Sequence, residues 1–282
     1  MVIKDSHGFW DALSPLELAE SPKIAKMLTP FLQPITDCYE CGVEVPTLSC
    51  KREGTRDIAI AALFLKRLLN DLRATWDLLL LGYTSQAGSV AAAAFENALI
   101  IICIAGNVHR AEKMWNHKTG GSPWSTANLC KMYAYQSKEE DKKSGKILSD
   151  QEYDTQAEML YAQYQWLCKV KHPTLASALH DALSISLTGD EYMIMAAPDA
   201  RIEDLPNKAF ILTVTILHVV EAIDSFALAR ELDYDKPNVI SWQKRFDSIL
   251  TNLNKSIDPI IKKTHLPFDY MGRMFNKDDK MP

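Results

Sequence analysis

The spacing of apolar residues predicts an all-α fold, an antiparallel helical bundle. From Asp57 to Tyr83, Ile58, Ala62, Leu65, Leu69, Leu72, Trp76 and Leu79 recur every three or four positions, with Lys66, Arg67, Asn70, Arg73 and Asp77 between them, so one face of a helix is buried. The next stretch, Ala87 to Gly106, is apolar nearly all round, as suits a helix enclosed by others. Only Gly82 and Thr84-Ser85-Gln86 separate the two, a link short enough to make them antiparallel neighbours, and the four alanines from Ala91 to Ala94 let their backbones approach closely.

The remaining elements follow from local signals. After Asn107 an amphipathic pattern runs through Val108, Met114 and Trp115 and stops at the breakers Thr119-Gly120-Gly121-Ser122-Pro123, and a helix restarts after Ser125. The mixed-charge run Lys138 to Lys146 is a solvated loop or helix end. Ser149 and Glu152 have capping-box spacing and open a helix rich in aromatics, Tyr153 to Lys171, which Pro173 stops at His172. Ile185 to Leu187 and Tyr192 to Met195 flank Thr188-Gly189-Asp190 as a short β-hairpin would, near 185–195. Asn207 to Glu231 is a long apolar helix, and Val239 to Ser256 a last amphipathic one. The chain therefore divides into an N-terminal extension with short helices at 1–54, a helical-bundle core at 55–235, and a C-terminal helix and tail at 236–282.

With 282 residues, 47% of them hydrophobic and 24% charged, there is apolar material for a sizeable core. The net charge of -5 argues against a protein that holds nucleic acid through a broad basic field. The first twenty residues mix acids and aromatics without the charged start and apolar run of a secretory leader, which leads to the expectation of a cytoplasmic protein. Ala87 to Gly106 approaches membrane-spanning length, but Glu96 and Asn97 lie at its centre, where a charge costs about 2.5–3.5 kcal/mol on insertion scales. A core helix is the expected reading, with no membrane partner.

Glu96 is the first candidate for a site, because a carboxylate within an apolar helix must be paired, hydrogen-bonded or neutral. Arg73 or Arg67 on the preceding helix would answer it. The segment Lys169-Val170-Lys171-His172-Pro173-Thr174 combines a helix N-terminus, two ammonium groups and an imidazole, the makings of a small anion site. His218 and Glu221 share a helix face at i and i+3, a pair that could be simply hydrogen-bonded or could contribute to a carboxylate metal site, for which Glu96 is the only obvious further donor. Cys38-Tyr39-Glu40-Cys41 is one knuckle of a zinc site without a second. There is no activated Ser or Cys motif and no phosphate-cradling glycine loop, and the sequence calls for no metal or other cofactor. The leading expectation is a binding or regulatory protein with a small internal polar pocket bounded by Glu96, His172, His218 and Glu221, with Lys171 as a further ligand-binding group and a homodimer as one form.

Three parts occur in a distinctive order: a leucine-rich helix ending in Gly-Tyr (Leu78 to Tyr83), an alanine-rich helix with an inward acid (Val90 to Leu99, with Glu96), and an aromatic helix ending in His-Pro (Tyr161 to Pro173). This order, over roughly Asp57 to His180, resembles a bacterial family of helical-bundle proteins that is itself distantly similar to the HEPN superfamily. Some HEPN proteins are metal-independent ribonucleases of toxin and antiviral systems, with an Arg followed four to six residues later by a His. The resemblance implies RNA as a partner and two candidate catalytic sets in this chain, Arg110 with His117, or His172 with Lys169 in place of the Arg and Glu96 nearby.

Overall fold

The apolar spacing becomes helix throughout. The computed structural model describes residues 8–261 apart from 53, 119–120, 144, 146–148 and 172–197. Among the described residues 84% are helical, in eight helices with no strand. These are α1 (Gly8–Glu44), α2 (Arg56–Leu80), α3 (Thr84–Ile104), α4 (Val108–Trp115), α5 (Thr126–Lys143), α6 (Asp150–Lys171), α7 (Leu205–Arg230) and α8 (Pro237–Ile261). The hairpin expected near 185–195 lies outside the described residues.

Helix α2 ends where the sequence says it must. The Gly82 N–H bonds to the Leu79 carbonyl and the Tyr83 N–H to that of Leu78, the paired bonds of a Schellman turn, with Gly82 at φ +83°. A β-carbon at Gly82 would come within 2.6 Å of the Asp199 backbone nitrogen, so glycine is required here for space as well as for backbone angle. The turn reverses the chain, and α3 returns antiparallel along α2. Asn107 then caps α4 by accepting the Arg110 N–H at 3.0 Å. The Ser149–Glu152 capping box forms as expected, with the Glu152 carboxylate 2.6 Å from the Ser149 N–H and the Glu152 N–H 3.3 Å from the Ser149 hydroxyl.

Helix α3 is the centre of the bundle, with α2, α5, α6 and α7 packed around it. It runs parallel to α7: Thr84 meets Asp204 at one end, Phe95 meets His218 in the middle, and Gly106 lies against Ala229 at the other end. At the starting end, Asp204 and Lys208 form an ion pair with both side chains fully buried, and Thr84 and Asn207 donate to the same carboxylate. At the far end Asp57 is completely buried; it accepts two bonds from Arg52 (3.1 and 3.0 Å) and the Gly106 N–H at 2.9 Å. Arg230 binds the carbonyls of Val45 and Leu48 there, and residues 49–52 pair backbone to backbone with 230–233. One carboxylate thus ties the start of α2 to the chain just beyond α3 and, through Arg52, to the Ala229 carbonyl of α7.

The N-terminal extension differs from the short helices expected. Residues 8–44 form one helix of 37 residues with Pro15, Pro22, Pro30 and Pro34 inside it. Proline removes the N–H that would serve the carbonyl four residues earlier, so Pro34 leaves the Pro30 carbonyl without its helical donor. The Ser256 hydroxyl of α8 approaches that carbonyl at 2.5 Å while also lying 2.8 Å from its own Asn252 carbonyl. Tertiary packing thereby rescues what the local sequence would break. Trp242 donates to the Cys41 carbonyl at 3.0 Å, so α8 runs antiparallel to α1.

Replacing Asp57 by Ala strands the Arg52 guanidinium and a backbone N–H, and should lower unfolding stability in urea by about 3 kcal/mol. Replacing Arg73, whose pair with Asp77 is exposed, should cost about 0.5 kcal/mol or less. Equal losses for the two variants would contradict this account of the bundle's end.

Candidate functional site

Glu96 and Asn97 are neighbours in sequence and part company in space, because adjacent helical residues point about 100° apart. Asn97 is buried toward α2 and donates to Asp71 at 2.7 Å. Glu96 is half-buried and faces α5 and α6, where its Oε1 accepts the Tyr164 hydroxyl at 2.5 Å and the Thr126 hydroxyl at 3.1 Å. The expected guanidinium partner is therefore replaced by two hydroxyls. Arg73 instead bonds to Asp77 on its own helix, and Arg67 acts on Asp71. Burial raises the Tyr164 phenol, and Glu96 raises it further, so the phenol stays protonated and donates.

A second network joins α5, α6 and α7. His218 is almost fully buried, with Nδ1 2.9 Å from Glu221 Oε2 and Nε2 2.8 Å from Gln163 Oε1. Tyr133 of α5 donates to the other Glu221 oxygen at 3.0 Å. If Gln163 presents its oxygen, both ring nitrogens donate and the imidazole carries two protons; if the amide is turned, its NH2 donates to Nε2 and a neutral ring donates from Nδ1 to Glu221. In both arrangements every polar atom of the ring is satisfied. Phe95 stands between the two networks, edge-on to His218 with centroids 4.4 Å apart and 5.7 Å from Tyr164. The polar seam thus draws on α3, α5, α6 and α7, sealed at His218 and reaching the outside at its two carboxylates, Glu96 and Glu221.

Glu96 belongs to one network and His218 with Glu221 to the other, with no direct bond among the described residues from Glu96 to either of the others. The structure adds Gln163, Tyr164, Tyr133 and Thr126, which sequence reasoning missed. Gln163 had a visible signal: it sits on the apolar stripe of α6 between Leu160 and Leu167, where an amide needs a partner. Lys169 is exposed on α6; His172 and the Lys171 side chain lie outside the described residues, and the anion site expected there lies outside them too.

Arg110 and His117 sit elsewhere. The Arg110 guanidinium donates to the Cys103 carbonyl at 3.2 Å, at the end of α3 about 10 Å along the helix from Glu96. It lines a pocket of about 340 Å³ with Asn107, Tyr135, Gln136 and Glu139. His117 follows the end of α4, its N–H 3.3 Å from the Met114 carbonyl. Cys38 and Cys41 are both buried in α1, and among the described residues no group of three His, Cys, Asp or Glu side chains is placed to hold a metal ion. Burial raises the Cys38 and Cys41 thiols, the latter against the opposing pull of Arg245, and pushes Cys103 and Cys130 up to about 12. These four thiols are poor nucleophiles.

No protein-family model, curated protein or solved structure matches this chain. These comparisons link the chain neither to the HEPN superfamily nor to any other family.

Burial raises the Asp71 carboxyl, against the hydrogen bond from Asn97 and the charge of Arg67. A carboxyl whose folded pKa stands above its unfolded value contributes stability that is present below the unfolded value of about 4 and is lost as pH rises through the folded one. Asp71→Asn keeps an amide beside Asn97 and removes this titration. Its stability relative to the native chain, read from urea unfolding, should climb between about pH 3 and about pH 7; a difference that stays flat or falls would contradict the burial of Asp71.

Proposed function

We propose that this chain is a cytoplasmic binding or regulatory protein whose recognition element is the seam around His218, and that it takes a small ligand or partner segment carrying an ammonium or N–H donor. The observation that carries the reading is the Glu96 carboxylate. Both hydroxyl bonds fall on Oε1, and among the described residues Oε2 accepts none, while the side chain is only half-buried. A partly buried carboxylate bonded to the Tyr164 hydroxyl, with the Tyr164 ring stacked on that of Tyr161 at 6.1 Å, offers the charge and the π-faces that cations favour. Glu221 has both oxygens engaged, by His218 and Tyr133, and its part is to hold the imidazole and the floor of the seam in place. Among the described residues two helices are apolar and long enough to cross a membrane, Thr84–Ile104 and the stretch Ile202–Arg230; 78% and 67% of their most apolar windows are buried inside the bundle, which suits core helices of a cytoplasmic protein.

The test is thermal unfolding with spermidine, choline or arginine at matched ionic strength. At least one of these should raise the melting temperature of the native chain by about 2 °C or more. Glu96→Gln keeps an acceptor for both hydroxyls and removes the charge, so the same probe should have no effect on it. No stabilisation, or equal stabilisation of both proteins, overturns the reading. Cleavage of labelled RNA in chelator that is lost in His117→Ala would favour the ribonuclease reading instead.

A further inference from the structure

Helix α1 turns an uncharged stripe outward along its length. Ala25, Thr29, Leu32, Thr36, Tyr39 and Val43 follow one another at alternating steps of four and three, the spacing of a coiled-coil seam. They line one side of the helix, and the three large ones are open: Leu32 is 51% exposed, Tyr39 36% and Val43 50%. The adjoining face of the same helix, about 100° around, carries the core residues Ile24, Leu28, Phe31, Ile35 and Cys38. A surface helix needs only that one apolar face to hold it to its own fold. The second stripe has no partner among the described residues.

The charges beside the stripe specify what fits it. On one flank, seven residues apart, stand Lys26, Gln33 and Glu40, all exposed. A second α1 laid antiparallel about a twofold axis at Gln33 brings Lys26 of each copy opposite Glu40 of the other and Gln33 opposite itself. The same register sets Ala25 against Val43, Thr29 against Tyr39 and Leu32 against Thr36, so the charged flank and the apolar seam agree on one alignment. Beside that seam, Leu32, Thr36 and Tyr39 border a groove of about 320 Å³ floored by Leu72 and Trp76 of α2, open where Leu32 of the second copy would enter. Among the described residues Glu40 has a single long contact, 3.4 Å to Arg245, and its side chain stays 52% exposed, so it is available to a partner.

We propose that this face is a self-complementary dimer interface, in which two copies pair through antiparallel α1 helices across a twofold axis at Gln33. The pairing covers about 27 Å of helix, a small contact, so the dimer forms and dissociates with concentration.

Sedimentation velocity over a concentration series should take the native chain from the 31.8 kDa of one copy toward twice that mass. Leu32→Asp, at an exposed position that leaves the helical circular dichroism unchanged, should hold it at one copy. Lys26→Glu sets like charges against each other and should weaken association about tenfold, while Lys26→Glu combined with Glu40→Lys should restore it. Gln33→Cys should give a disulfide-linked dimer under mild oxidation where the native chain, with no cysteine on this face of α1, does not. A chain that stays single at every concentration overturns the proposal. So does a dimer indifferent to Leu32→Asp or to the charge exchange, or one that Gln33→Cys fails to link.

Discussion

Helix α3 is buried along most of its surface, and whatever polar group it carries inward must be answered by a neighbour. That constraint organises the molecule. An alanine-rich helix can pack closely, but its core contacts alone would leave rotation and register loosely set, because apolar faces slide over one another at little cost. The polar groups remove that freedom. Thr84 is held by Asp204, Asn97 by Asp71, and Glu96 by Tyr164 and Thr126, so α7, α2, α6 and α5 are each fixed to α3 by at least one hydrogen bond or ring contact. Each bond contributes only about 1 kcal/mol net, but a register shift that leaves one unmade costs the full desolvation of a buried group.

The parallel pairing of α3 with α7 has the same logic at larger scale. Parallel neighbours cannot be joined by a short turn, and here α4, α5 and α6 intervene between them in the chain. Both ends are therefore secured by charge. The buried Asp204–Lys208 pair sits where the two helices begin, and Asp57 gathers Arg52 and the Gly106 N–H where they end. Midway between these anchors, Phe95 and His218 meet, and that is where the polar seam opens. The seam can afford half-exposed carboxylates because the packing that fixes its helices lies above and below it.

Much of this was legible in the residues, and the gaps have physical causes. The period of α2, the Gly82 turn, the Ser149–Glu152 box and the inward Glu96 are local signals, set by backbone geometry within a few positions. Which helix Glu96 would face is not local: the sequence gives a residue's angle on its own helix but not the direction in which each neighbour lies, so Arg73 on the adjacent helix looked nearer than Tyr164, 68 residues away. Gln163 and Tyr133 escaped for the same reason. The unbroken α1 contradicts the local effect of its prolines, and the compensation comes from Ser256, 226 residues distant in the chain. Likewise the pairing of 49–52 with 230–233 joins segments that carry no strand signature of their own.

The central claim is that the acid on α3 is bound by hydroxyls from facing helices, and a double-mutant cycle on Glu96 and Tyr164 addresses it directly. Glu96→Ala, Tyr164→Phe and the double variant would each be unfolded in urea alongside the native chain. A short hydroxyl–carboxylate bond in a half-buried setting predicts a coupling energy of about 1.5 kcal/mol or more, with the double variant less destabilised than the sum of the two singles. Additive losses, with no coupling beyond error, would mean that the two side chains do not meet and that α3 is held in some other way.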